Sequence, residues 1–232
     1  MKHWYYQAKF DLLRWHLLRT PTGGGPRTIA DLGCGLGVFL TLLERSGIAP
    51  ASHLQGVDPA QGQGSTAIDG GAPISPSWPE NQLYHWVLLM DVLEHVEDDV
   101  GLLVEARDHC RTGGCLFVTV PAFQWMFAEH DRCLGHKRRY TLGSLRMLAA
   151  RAGGLTIEAL HYYFGLLLPF AFVKRRLGGI CAGRKESDLR PLRPCLNSLF
   201  RLVMSFEHLW GHANRLGGLT AVMVCQIGIA HV

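Results

Sequence analysis

Apolar and polar positions along the chain alternate between two periods. Up to Arg19 the apolar residues Phe10, Leu13 and Leu17 recur at helical spacing. The breaker cluster TPTGGGP, Thr20 to Pro26, then reads as a connector. RTIADLG is a short buried strand running into Gly33. VFLTLLERSG is a helix closed by Gly47, and HLQGVD is a second strand ending at Asp58. Residues 59–82 are rich in Gly, Pro, Ser and Gln and hold only short elements. YHWVLLMD is an unbroken apolar run, as a strand covered on both faces should be. EDDVGLLVEARDHCRTGG opens on acids and ends in glycines, which predicts a helix. CLFVTVP is another buried strand, and TLGSLRMLAARAGG is a helix with Thr141 as its N-cap. LTIEALHYY and LTAVMVCQIGIA complete the strands.

Strands alternating with helices predict an α/β fold with a doubly wound, mostly parallel sheet. Phe164 to Gly218, between the last two strands, has helical patterning and several prolines. The expected organisation is an N-terminal helix and connector (1–26), a core (27–163), a helical insertion (164–218) and a final core strand (219–232).

Composition narrows the function classes. The 232 residues are 48% hydrophobic and 18% charged, which excludes disorder. A net charge of +4 gives no strong field for nucleic acid. The seven cysteines include no Cys-x-x-Cys pair, so a reducing, cytoplasmic location is expected. The N-terminal stretch lacks the continuous apolar segment of a signal peptide. The longest apolar run, YYFGLLLPFAFV, falls short of the roughly 20 residues that span a bilayer.

DLGCGLG joins the first strand to the first core helix. Gly33, Gly35 and Gly37 permit a tight turn and a close backbone approach to a ligand. Asp58, at the end of the next strand, can accept hydrogen bonds from both hydroxyls of a ribose. Together these point to an adenosine-containing cofactor; the plainer alternative is a tight turn with no ligand. A dinucleotide site takes G-x-G-x-x-G with a pyrophosphate on the helix N-terminus. Here the pattern is G-x-G-x-G and Asp31 precedes it, which disfavours pyrophosphate and suits a ligand with an ammonium group.

DLGCGLG, GVDP and VLLMDVLEHVEDD, in this order, resemble motifs of class I S-adenosylmethionine-dependent methyltransferases. The resemblance covers about residues 27–160 and the last strand. It implies a Rossmann-like sheet of class I methyltransferase type, here with a helical insertion before the last strand, and S-adenosyl-L-methionine as cofactor. It implies that Asp31, Gly33, Cys34 and Gly35 frame the methionine end, that Asp58 holds the ribose and that Asp91 lies near the amino-acid part or the reacting methyl. HWYYQAK resembles an aromatic-basic segment that precedes such cores, implying that Trp4, Tyr5 and Lys9 cover the cofactor; Lys9 stands where that segment has Arg. Asp69 is the residue offered for the adenine side.

His95, just past the fourth core strand in DVLEHV, is a candidate base for deprotonating an acceptor hydroxyl or amine; otherwise it only fixes its loop. HDRCLGHKRRYT follows the fifth core strand and projects over the same sheet edge. There His130, Asp131 and His136 are candidates to supply a base or position the acceptor. Lys137, Arg138 and Arg139, with Tyr140, are candidates to bind a phosphate or carboxylate on it. A solvated charge run is the alternative. The string resembles H-D-x-x-L-G-H-x-R-R-Y of a bacterial methyltransferase subgroup, some of whose members look associated with saccharide or lipid-linked pathways. His130-x-x-Cys133-x-x-His136 has metal-ligand spacing but lacks an evident fourth ligand, so no metal is expected.

The insertion carries nine bases against three acids, a surplus larger than that of the whole chain. Its apolar stretches GLLLPFAFV and LNSLFRLVMSF flank these bases. Apolar plus basic suits an anionic lipid surface, hence peripheral membrane contact, or a lid over an amphiphilic substrate. A packed cap or a dimer interface is the other reading. The expected function is methyl transfer to O or N of a small or lipid-linked anionic acceptor. The alternatives are a non-catalytic cofactor-binding module and a nicotinamide-dependent oxidoreductase, the second disfavoured by Asp31 and by the glycine spacing. No Asn-Pro-Pro-aromatic motif follows the fourth core strand, so nucleic acid is not the expected acceptor.

Overall fold

The computed structural model describes residues 3–20, 27–62, 64–177 and 194–228. The elements run α1 (Trp4–Arg19), β1 (Ile29–Leu32), α2 (Val38–Arg45), β2 (Leu54–Val57), β3 (Ser65–Thr66), β4 (Pro73–Ser75), β5 (Tyr84–Met90), α3 (Asp99–Asp108), β6 (Cys110–Pro121), α4 (Glu129–Cys133), α5 (Leu142–Ala152), β7 (Leu155–Tyr163), α6 (Leu168–Leu177), α7 (Pro194–Trp210) and β8 (Thr220–Ile227). They build one sheet in the order β3-β4-β2-β1-β5-β6-β8-β7. β4, β2, β1, β5 and β6 are parallel, and β8 enters antiparallel between β6 and β7. The chain steps outward from β1 to β4 and then returns to β5 on the other side of β1. That reversal opens the crevice in which such sheets hold ligands.

The unbroken apolar runs become doubly covered strands. Trp86 and Leu88 of β5 pack with Leu12, Leu13 and Leu17 of α1 and Leu40 of α2, while Val87 and Leu89 face the α3 and α5 side with Leu103 and Leu145. Local chemistry sets the helix ends. The Asp98 side chain accepts from Gly101 N–H at 2.8 Å and starts α3. Thr141 and Ser144 cap α5 reciprocally, and Gly47, in the left-handed region, closes α2.

Two expectations change. The helix expected to reach Gly114 stops at Asp108, because Cys110 pairs with Tyr84 and the following residues extend β6. The irregular stretch 59–82 supplies β4, which pairs with β2 through Gly56 and Val57 and fills the outer parallel position. In the insertion, Glu207 of α7 accepts from the backbone N–H groups of Gly165 and Leu166 and ties that helix to the start of the segment. α7 also packs on α1, where Trp4 stacks on Phe200 at 4.8 Å. The stretches 21–26 and 178–193, with Arg184, Lys185, Arg190 and Arg193, lie outside the described residues, as do the side chains of Lys174, Arg175 and Arg176.

Candidate active site

The turn between β1 and α2 has three glycines at positive φ, each needed for a different reason. A Cβ on Gly33 would meet the Val92 methyls at 2.7 Å, and one on Gly37 would meet Ala67 at 2.6 Å. A Cβ on Gly35 would meet nothing within 4 Å. Gly35 therefore faces open space, and its φ of +54° disfavours any side chain there. One oxygen of Asp58 accepts from Gly35 N–H at 2.7 Å; the other accepts from Ala60 N–H at 2.9 Å. The carboxylate is thus fixed beside the open face of the turn.

Two of the expected contacts lie underneath this turn. The Cys34 thiol packs towards Gly56, where a Cβ would meet its Sγ at 2.7 Å, and burial first, then Asp31, raises its pKa. Position 34 therefore contributes backbone to the turn and no reactive thiol. Asp31 is 1% exposed, and neither carboxyl oxygen has a hydrogen-bond partner among the described residues. Burial, then the neighbouring Asp58, pushes its pKa up to about 8.

Across the crevice, Asp91 directly follows β5 at φ +60°, a left-handed conformation unusual for a residue with a side chain. Its N–H donates to the Thr119 carbonyl at 2.9 Å. Its carboxylate receives the buried Lys9 ammonium, the Tyr5 hydroxyl at 2.9 Å and the Thr119 hydroxyl at 3.2 Å. Tyr5 stacks on Phe164 at 5.5 Å. Burial, then Asp91, holds the Tyr5 hydroxyl well above its usual pKa, so it remains a donor. Lys9 and Tyr5 thus close the crevice from α1. Trp4 does not join them: it stacks on Phe200 and lines a groove of about 380 Å³ between α1 and α7. Asp69 sits beside the C-terminal end of α2, where its carbonyl receives Arg45 at 3.0 Å, and the preceding Ile68 N–H donates to the Leu36 carbonyl of the glycine turn at 2.8 Å.

The HDRCLGHKRRY segment is built differently from expectation. Asp131 is fully buried. It accepts from Ala128 N–H at 2.8 Å, sits 3.1 Å from His136 Nδ1 and receives the Arg139 guanidinium at 2.5 Å. Burial alone would raise its pKa; the His136 and Arg139 contacts overcome that and hold it well below the carboxylate range. The buried Tyr140 hydroxyl donates to the Leu93 carbonyl at 3.1 Å and to Asp99 at 3.0 Å. Arg138 reaches Asp99 at 3.1 Å and the Val96 and Glu97 carbonyls, and Lys137 pairs with Glu97. The segment therefore clasps the loop after β5. Asp131, Arg139 and Tyr140 are engaged by these bonds, and Arg139 and Tyr140 also line a shallow cavity with Asp99 and Arg138. Of the three consecutive bases, Lys137 and Arg138 keep their heads nearer solvent than Arg139.

The clasp brings His136 against His95, edge to face at 4.7 Å between ring centres. Glu94 is fully buried beside them with both carboxyl oxygens unpartnered among the described residues. His130, on α4, is outside this cluster. Glu94, Thr119 and Phe164 were not expected at the site. Thr119 had one signal, a lone polar residue inside an apolar strand.

Comparison with known proteins agrees with this geometry. A family model described as a methyltransferase domain matches residues 2–160. Trans-aconitate 2-methyltransferase of Pseudomonas aeruginosa strain UCBPP-PA14 is 34% identical over 117 residues, covering 47% of this chain and 40% of that protein. Its counterpart in Pseudomonas paraeruginosa strain DSM 24068 / PA7 is 33% identical over 119 residues with the same coverage. The match thus spans less than half the length of these relatives. Among solved structures, an S-adenosylmethionine-dependent methyltransferase from Mesorhizobium loti aligns at TM-score 0.56 and 16% identity, over 94% of this chain and 97% of that one. The plantazolicin methyltransferase BpumL, solved with a monoazolic desmethylPZN analog and SAH, aligns at TM-score 0.59 and 11% identity, over 97% and 85%. At these identities the structures share the fold, a class I Rossmann-like sheet.

Proposed function

This chain belongs to the methyltransferase-domain family, and on that premise we propose that it moves a methyl group from S-adenosylmethionine to an oxygen or nitrogen of an anionic, amphiphilic acceptor. The observation that carries the cofactor assignment is the pairing of the open Gly35 face with the Asp58 carboxylate 2.7 Å from its N–H. The residues fit this cofactor better than a dinucleotide. Asp58 and Asp91 present carboxylates at the two ends of the crevice, and the turn spaces its glycines G-x-G-x-G where a pyrophosphate site takes G-x-G-x-x-G. The same acids suit a ligand bearing an ammonium and a sulfonium.

S-adenosylmethionine supplies a methyl on positively charged sulfur, whose departure leaves a neutral thioether. Asp58 holds the ribose side, Gly35 gives the ligand room, and Asp91 fixes the opposite end with Tyr5 and Lys9 behind it. The chain's contribution is chiefly alignment of acceptor and methyl, which lowers the barrier by several kcal/mol, up to about 7–11 in well-oriented cases. The new bond forms from an acceptor lone pair to the methyl carbon, and the carbon–sulfur pair leaves with sulfur. The acceptor's proton passes to His95, the exposed imidazole at this edge, or to water. Lys137 and Arg138 offer positive charge for an acceptor phosphate or carboxylate.

The amphiphilic part of the proposal rests on α7. Leu199, Leu202, Phe206, Leu209 and Trp210 are all exposed and fall within roughly a 100° arc of the helix, with Phe170 exposed on α6. Such an apolar face on a surface helix marks an interaction surface, here lipid or a lipid-linked substrate. No helix among the described residues is long and apolar enough to cross a membrane.

Calorimetric titration with S-adenosylmethionine, S-adenosylhomocysteine and NAD tests the cofactor. Micromolar binding of the first two and none of the third is expected; NAD binding alone would overturn the assignment. For the acceptor class, sedimentation with anionic phosphatidylglycerol vesicles should retain the wild type and release Phe206→Ser. Equal retention of both would remove the α7 argument.

A further inference from the structure

Glu94 and His95 end the short turn after β5, and His136 reaches them from the loop after α4. One ligand atom from each lies within 4.8 Å of the others. Glu94 is an unexplained group here. It is fully buried, and neither carboxyl oxygen has a hydrogen-bond partner among the described residues. Its acidic neighbours are already balanced, since Lys9 faces Asp91 and Arg139 faces Asp131. A buried polar group without a partner calls for a missing donor or ion.

His136 supplies an independent observation. Its Nδ1 lies 3.1 Å from the Asp131 carboxylate, which is itself locked by Arg139 and Ala128 N–H. This leaves Nε2 as the nitrogen able to ligate. A carboxylate that fixes the far nitrogen of an imidazole is the arrangement found behind metal-bound histidines.

We propose that Glu94, His95 and His136 form a binding site for a divalent transition-metal ion at the acceptor edge of the crevice. Two imidazoles and one carboxylate favour Mn²⁺, Co²⁺ or Zn²⁺ over Ca²⁺ or Mg²⁺, which take mainly oxygen ligands. Bonds of about 2.1 Å require the ligand atoms to draw in to roughly 3.0–3.4 Å of one another, the edge lengths of octahedral and tetrahedral sites. Three protein ligands leave positions open for water or an acceptor oxygen; with the ion bound, His95 is a ligand and the acceptor's proton passes to water. The spacing His130-x-x-Cys133-x-x-His136, from which no metal is expected, shares only His136 with this set; the other two ligands come from the turn after β5.

The test is titration of chelator-treated protein with Mn²⁺ alone, read by calorimetry and by loss of the free-ion electron paramagnetic resonance signal. One ion per chain with micromolar affinity is expected. Glu94→Gln and His136→Ala should each weaken it at least tenfold. His95→Ala, at an exposed position, should do the same without disturbing the fold, and Cys133→Ser should leave affinity unchanged. Absence of saturable binding for Mn²⁺, Co²⁺ and Zn²⁺, or equal affinity in wild type and His95→Ala, would overturn the site. S-adenosylhomocysteine binding is measured separately, so loss of the metal site leaves the methyl-transfer reading to stand or fall by itself.

Discussion

Lys9, on the first helix, is 1% exposed and directs its ammonium at the carboxylate of Asp91, which follows β5 eighty-two residues later in the chain. The pair joins the N-terminal helix to the catalytic edge of the sheet. Lys9→Ala leaves Asp91 with only the Tyr5 and Thr119 hydroxyls. Asp91 is 29% exposed, so water recovers part of its solvation. A destabilisation of about 2–3 kcal/mol is expected, below the value for a fully enclosed pair. Urea denaturation measures it, and calorimetry should show cofactor binding weakened in the same variant.

Asp58→Ala should weaken S-adenosylmethionine at least tenfold. The folded chain loses only hydrogen bonds at a partly exposed turn, so stability should fall by no more than about 1 kcal/mol. Unchanged affinity would show that the ribose is held elsewhere.

Arg139 and Lys137 stand two positions apart and should behave oppositely. Arg139→Ala strands the buried Asp131 carboxylate, and a loss of about 3–5 kcal/mol is expected. Lys137→Ala removes a surface pair with the exposed Glu97, and no measurable shift in thermal midpoint is expected. Equal, small effects would return Arg139 to the acceptor surface.

His16 of α1 and His161 of β7 stack with their Nε2 atoms 3.3 Å apart. Burial above all holds their pKa values down, to about 3 and about 4. Both are neutral in the folded protein, whereas the unfolded chain takes up their protons below about pH 6.5. Stability from this pair is therefore complete above pH 6.5 and declines as pH falls towards 4. Each histidine contributes a slope of about 1.4 kcal/mol per pH unit in that window. Urea midpoints between pH 7 and pH 4 should trace this slope, and His161→Gln should flatten it.

Much of the cofactor side was legible because its signals are local. The glycine turn, Asp58 and Asp91 each sit at the end of a strand that apolar patterning marks out. The acceptor side was not, because charge in a sequence does not name its partner. Lys137, Arg138 and Arg139 read as a basic run, yet Glu97, Asp99 and Asp131 engage them in the fold. The end of α3 was misplaced for a related reason. Cys110 to Gly114 look like a helix end, but Cys110 pairs with Tyr84 of β5 and the residues that follow are drawn into β6. The grouping of Glu94, His95 and His136 depends on the whole length of β6 and α4 and has no local signature.

The position of β8 bears on how the chain is made. β6 and β7 are not hydrogen-bonded to each other; each pairs with β8, which emerges after both. From Tyr163 to Thr220, at about 5–20 residues per second, the ribosome takes roughly three to eleven seconds. Through that interval the nascent sheet has two open edges, Val118 to Val120 among them, of the kind that recruit strands from other chains. Anything that delays β8 lengthens this exposure, so slow codons within the insertion should reduce the yield of folded protein without altering the activity of the molecules that do fold.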